Sequence, residues 1–174
     1  GVNALTANTK GDRCVAVGHN ALSSMNITTS THMYNVAVGL NALSQTTTGQ
    51  YNVAVGGDCC NTQTTATNNT GVGHGALYYS TGSYNVAMGT GTLDANTTAN
   101  YNTALGWAAL GANTTGGNQV SVGASSLGSC TTGFQNVAVG ANSLDALTTA
   151  TNNVGVGYNA LGSNSTGGSN VALG

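Results

Sequence analysis

Val15-Ala16-Val17-Gly18, Val36-Ala37-Val38-Gly39 and Val53-Ala54-Val55-Gly56 are one tetrapeptide written three times. With the closing glycine as anchor, the pattern recurs at Gly1, Gly18, Gly39, Gly56, Gly73, Gly89, Gly106, Gly123, Gly140, Gly157 and Gly174. The intervals are 17, 21, 17, 17, 16, 17, 17, 17, 17 and 17 residues: ten periods, one four-residue insertion and one single-residue deletion. A unit this short cannot bury an apolar face alone, so it stacks on its neighbours.

Superposing the periods resolves them into columns. Four residues before the anchor stands asparagine (Asn35, Asn52, Asn69, Asn85, Asn102, Asn136, Asn153, Asn170), with Cys14 and Gln119 as exceptions. Two residues before it the side chain is always Ala, Gly or Ser, and one residue before it Val, Met or Leu. Leucine falls four residues after the anchor, as in Leu22, Leu43, Leu77 and Leu93, and two Thr/Ser columns lead into a Gly/Ala corner such as Thr47-Thr48-Gly49.

Val-Ala-Val alternates with period two, so both valines point one way and the alanine the other. A strand this short is unstable alone and gains its partners by stacking in register. The pattern therefore predicts an all-β chain: a parallel β-solenoid, a β-roll or β-helix of about ten 17-residue coils, with the Val and Leu columns merging into its core. The absence of proline agrees, because each proline would delete a ladder donor. In register, the Asn column is expected to form a ladder of side-chain amides.

The Ala/Gly/Ser column calls for a close neighbour. An outward strand face that is free in water carries polar or long side chains, so the expected partner is the same column on other copies around a shared axis. A very flat coil packed on its own far wall is the alternative.

Composition excludes whole classes of function. Only 3% of the 174 residues are charged, with 2 Lys+Arg, 4 Asp+Glu and a formal net charge of −2. Lys10 and Arg13 cannot make the basic patch that nucleic acid requires. No apolar run approaches the roughly 18–20 residues of a membrane span, so no membrane insertion of this segment is expected. The low charge follows from stacking: a charge at a repeat position would lie ~4.8 Å from its own copy.

Asn-Val-Ala-Val-Gly-x-Asn-Ala-Leu followed by Thr-Thr-Gly resembles the repeats of phage tail-fibre-type proteins. More distantly it is similar to the head repeats of YadA-like trimeric adhesins, whose period is shorter. The resemblance covers essentially the whole chain. It implies a left-handed, homotrimeric shaft, extracellular on a virion tail fibre or a cell surface, attaching to a host through a surface glycan or receptor. On that reading residues 1–174 are a single repeat array, an excerpt of a longer fibre, with an inserted loop at about 23–34.

Residues able to carry chemistry are few. Cys59 and Cys60 occupy columns otherwise held mainly by Ala and Leu, and read as small buried apolar groups. A disulfide from Cys14 to either would have to bridge coils two periods apart. His19 and His74 share the column just after the anchor but lie three coils apart, roughly 14 Å, too far to share a metal ion. Trp107 and Tyr158 stand in the same variable column, and Tyr34 lies at the end of the insertion. These five, Trp107, Tyr158, His19, His74 and Tyr34, are the candidate surface contacts. Asp94 and Asp145 share a column three coils apart, beyond the reach of a glycosidase pair. No catalytic residue, cofactor or metal site is expected. The leading expectation is a non-enzymatic adhesive fibre segment; the alternatives are an ice-binding solenoid and a glycan-degrading β-helix.

Overall fold

The computed structural model describes residues 1–29 and 31–174. Among them the chain forms twelve short strands: β1 (Gly11–Asp12), β2 (Val15–Val17), β3 (Thr31–His32), β4 (Val36–Val38), β5 (Val53–Val55) and β6 (Thr70–Val72). They continue as β7 (Val86–Met88), β8 (Thr103–Leu105), β9 (Val120–Val122), β10 (Val137–Val139), β11 (Val154–Val156) and β12 (Val171–Leu173). Ten of these, β2 and β4 to β12, stack in sequence order as one parallel sheet. The register is unbroken, with Ala37 beside Ala54, Ala54 beside Gly71 and Gly71 beside Ala87. Even the one-residue deletion leaves the sheet in phase, because it falls in the Thr-Thr corner outside the strands. The predicted parallel β-solenoid is the observed fold.

The Leu column lies in the core as expected, but the two sides of the strands are reversed from expectation. Ala37, Ala54, Ala87, Ala104 and Ala138 are fully buried, whereas Val17, Met88 and Leu105 are 56%, 42% and 46% exposed. The small column faces inward, against the far wall of the same chain, and the Val columns face out. The coil is therefore flat, and no neighbouring copy is needed to explain why this column is small. A Cβ on Gly71 would meet Cys59 Sγ at 2.5 Å and Cys60 Sγ at 2.8 Å; one on Gly155 would meet Ser143 Oγ at 2.7 Å. The opposite wall is the Leu column, with Leu22, Leu43, Leu77, Leu93, Leu110, Leu127 and Leu144 all fully buried. Each such side chain contributes about 1.5–3 kcal/mol by leaving water.

Sharp corners make so thin a coil possible. The Leu column itself has positive φ, from 49° at Leu127 to 54° at Leu77, as does the column before each ladder asparagine, including Tyr34, Tyr51, Tyr84 and Tyr101. A non-glycine residue there is strained and persists only where its surroundings hold it. The buried leucine side chain and the stacked neighbouring coils supply that hold.

The asparagine ladder exists, but its partners are mainly backbone. Asn52 Oδ1 accepts the N–H of Asn69, and its Nδ2 donates to the carbonyl of Ala66. Asn85 repeats this with Asn102 N–H and Ala99 carbonyl. Each amide thus ties a corner to the start of the next strand while fully buried.

The inserted segment carries core of its own. Met25, Ile27 and Met33 are buried in it, and Thr31–His32 pairs in parallel with Gly11–Asp12 as a separate two-stranded sheet. Ser30, inside that segment, lies outside the described residues.

Candidate functional site

Beyond the strands, three outward features break the uniformity of the rod. The first is a true side-chain ladder two residues after the anchor. Asn3 Nδ2 donates to Asn20 Oδ1, Asn20 to Asn41 Oδ1 and Asn41 to Asp58 Oδ1, at 2.9–3.1 Å. The Asn35 column makes the same amide-to-amide contact in its last coils, where Asn153 Nδ2 donates to Asn136 Oδ1 and Asn170 Nδ2 to Asn153 Oδ1.

That ladder stops at Asp58, because the next two coils place Gly75 and Gly91 in the column. Over these glycines lies a cavity of about 270 Å³ lined by His74, Gly75, Tyr78, Tyr79, Thr90, Gly91 and Asp94. Tyr78 and Tyr79 meet edge to face with ring centroids 4.5 Å apart, and Tyr79 is 57% exposed. The backbone N–H of Tyr79 donates to the carbonyl of Asp94, locking the two coils side by side. Burial pushes the Asp94 carboxyl above its ordinary value, against backbone hydrogen bonds from Ala95 and Asp94 itself that pull it down. His74 Nε2 lies 3.8 Å from Asp58 Oδ2, both at least partly exposed.

The third feature is a ladder of tyrosines in the column before the asparagines. Tyr34 stacks on Tyr51 and Tyr84 on Tyr101, at centroid distances of 5.4 and 5.0 Å. Arg13 caps the first pair, its guanidinium 5.3 Å from the Tyr34 ring centre and donating to the Tyr34 hydroxyl. Nearby His32 Nδ1 lies 2.7 Å from Asp12 Oδ1 across the two-stranded sheet.

The five candidate contacts therefore do not form one site. Trp107 and Tyr158 are 63% and 75% exposed but three coils apart. His19 is exposed, and Tyr34 belongs to the tyrosine ladder. Only His74 lines the cavity. Sequence alone does not single out Tyr78 or Tyr79, and it brings Asp94 forward only as half of a carboxylate pair. The available signal was Gly75 and Gly91, two successive glycines in a column otherwise mostly Asn or Asp up to that point.

The four cysteines are free thiols. Cys59 and Cys60 are fully buried with Sγ atoms 3.8 Å apart; the Cys59 contact, reinforced by burial, holds the Cys60 thiol well above its ordinary pKa. Burial also raises Cys14 and Cys130. Among the described residues no group of three or more His, Cys, Asp or Glu stands close enough to hold a metal ion. No helix among them is long and apolar enough to cross a membrane. Compared with known protein families, curated proteins and solved structures, the chain matches none.

Proposed function

We propose that the chain is a segment of a stiff, non-enzymatic extracellular fibre, of the tail-fibre or surface-adhesin kind. In this reading three copies pack around a common axis and the rod attaches to a host cell or surface. The observation that carries it is the outward face of the ten-stranded sheet. Eighteen of its twenty outward positions are Val, Leu or Met, and the other two are Thr70 and Thr103. A sheet face left in water alternates to polar side chains. This one is an apolar strip interrupted only by two threonines, nine strand spacings of ~4.8 Å making it roughly 43 Å long. Monomeric proteins seldom expose so continuous a surface. Copies arranged about an axis along the rod cover it without leaving a growing edge.

The threonine columns weigh against ice binding. The first of them spends its hydroxyls within the rod: Thr81 Oγ1 donates to the Thr97 carbonyl, Thr97 to Thr114 and Thr114 to Thr131. Those donors are aligned along the axis and are not offered to a lattice.

The test is the mass of the assembly in solution by analytical ultracentrifugation. Three times the 17.0 kDa of the chain is expected. The double variant Val120→Lys and Val137→Lys should keep the β-sheet circular dichroism and sediment as a monomer. A monomeric parent chain overturns the shared-axis reading.

A further inference from the structure

We propose that the cavity over Gly75 and Gly91 is a binding site for one neutral pyranose ring of a surface glycan. Three observations converge on it. The first is that the cavity is a gap in a repeating pattern and not a chance dent. The outer column runs Asn3, Asn20, Asn41, Asp58, then Gly75 and Gly91, then Ala108, Ser125, Asn142 and Asn159. Both glycines have positive φ, +65° and +63°, as their column neighbours Asn41 and Asp58 do. A Cβ on either would meet nothing within 4 Å, whereas at almost every other glycine it would strike a neighbour. This φ favours glycine, but Asn20, Asp58, Ala108 and Ser125 hold the same conformation in the same column, so the open space follows the missing side chains.

The second observation is the lining. A pyranose has faces of C–H groups and a rim of hydroxyls, so it takes an aromatic surface beside hydrogen-bond partners. Tyr79 supplies an exposed ring held edge to face by Tyr78. Asp94 supplies a carboxylate that can accept from two neighbouring hydroxyls, while Thr90 and His74 add a hydroxyl and an imidazole. Aromatic body and polar groups meet in one concave place, as a small-ligand site requires.

Size and charge then narrow the ligand. The volume of about 270 Å³ falls just below the roughly 300–1,000 Å³ that holds a drug-sized molecule, which suits a single ring. The acids nearby are Asp94 and, past His74, Asp58, and neither Lys nor Arg lines the cavity. An acidic sugar is therefore disfavoured and a neutral one favoured.

This deepens the attachment reading, and the two fail separately. A monomeric rod that binds sugar removes the shared axis alone; an assembled rod that binds none removes the pocket alone.

The experiment is saturation-transfer NMR on the assembled protein with methyl glycosides of glucose, galactose, mannose and N-acetylglucosamine, and with N-acetylneuraminic acid. At least one neutral glycoside should receive saturation at its ring protons, and the acidic sugar should receive none. Gly75→Asn and Gly91→Asn together restore the column and fill the cavity; asparagine already holds this conformation at Asn20, Asn41 and Asn142. That variant should fold and assemble as the parent does and lose at least tenfold in affinity, and Tyr79→Ala should lose as much. Binding by no neutral glycoside, preference for the acidic sugar, or undiminished binding by the filled variant overturns the proposal.

Discussion

A Cβ built on Gly39 would lie 2.3 Å from the carbonyl oxygen of Gly56, the equivalent glycine of the next coil. The same contact recurs along the rod, at 2.3 Å from Gly18 to Gly39 and 2.4 Å from Gly56 to Gly73. Gly39 also has φ of +140°, which other residues seldom adopt. The anchor is glycine for two independent reasons, close approach of backbones and backbone angle.

Gly39→Ala is accordingly expected to lose roughly 2–5 kcal/mol, strain and overpacking together. Urea melts followed by circular dichroism measure it. A loss under about 1 kcal/mol would mean that the coils can separate locally at little cost.

Ala104 tests which way the small column faces. It is fully buried against the chain's own far wall. Ala104→Leu should therefore destabilise the isolated chain by about 1–3 kcal/mol or more, at any protein concentration. If the loss appeared only under conditions where copies associate, the column would face a neighbour instead.

Asn85 joins Asn102 N–H to the Ala99 carbonyl inside the rod. Asn85→Ala strands the Asn102 N–H, while the Ala99 carbonyl keeps its bond from Asn96 Nδ2, and an unpaired buried group costs about 1–3 kcal/mol. Thermal melts should show a loss at the upper end of single substitutions, and hydrogen exchange at Asn102 should accelerate.

Asp94 gives a pH dependence of definite sign. Its folded-state pKa is raised by burial, so the folded chain keeps the proton over a range where the unfolded chain has released it. Its contribution is most favourable below the ordinary carboxylate pKa of about 3.9 and declines as pH climbs through the raised value. Asp94→Asn should remove that decline, seen in melting temperatures measured from about pH 3 to about pH 7.

Thiol chemistry offers a further check. Cys14 is half-buried, while Cys59, Cys60 and Cys130 are buried with their pKa values raised at Cys60 and Cys130. A maleimide added to the folded protein should label Cys14 first and the other three only on unfolding. Fast labelling of Cys59 or Cys60 would place the far wall in solvent.

Periodicity made the solenoid legible, because the anchor glycines, the asparagines and the alternating tripeptide each mark a fixed point on the coil. Alternation separates Val53 and Val55 from Ala54 but does not say which side is inside. That choice was made by thickness: a coil closed by the Leu column has room opposite only for Ala, Gly or Ser, as Gly71 against Cys59 and Cys60 shows. The hydrophobic valines were the intuitive core and are the surface. The cavity was half legible. Gly75 and Gly91 stand out in their column, yet the meeting of Tyr79 with Asp94 depends on the stacking of two successive coils. No spacing within either coil displays it.

The carbonyl-to-amide bonds between coils run along the axis of the rod, and this has a mechanical consequence. A pull on the whole cross-section loads all the bonds of an interface together, with the ladder of Asn52, Asn69 and Asn85 acting as rivets beside them. A pull on a free end loads them one after another and unwinds the rod coil by coil. The same filament is stiff as a strut and yielding as a thread, and which behaviour a load meets depends on where it is applied.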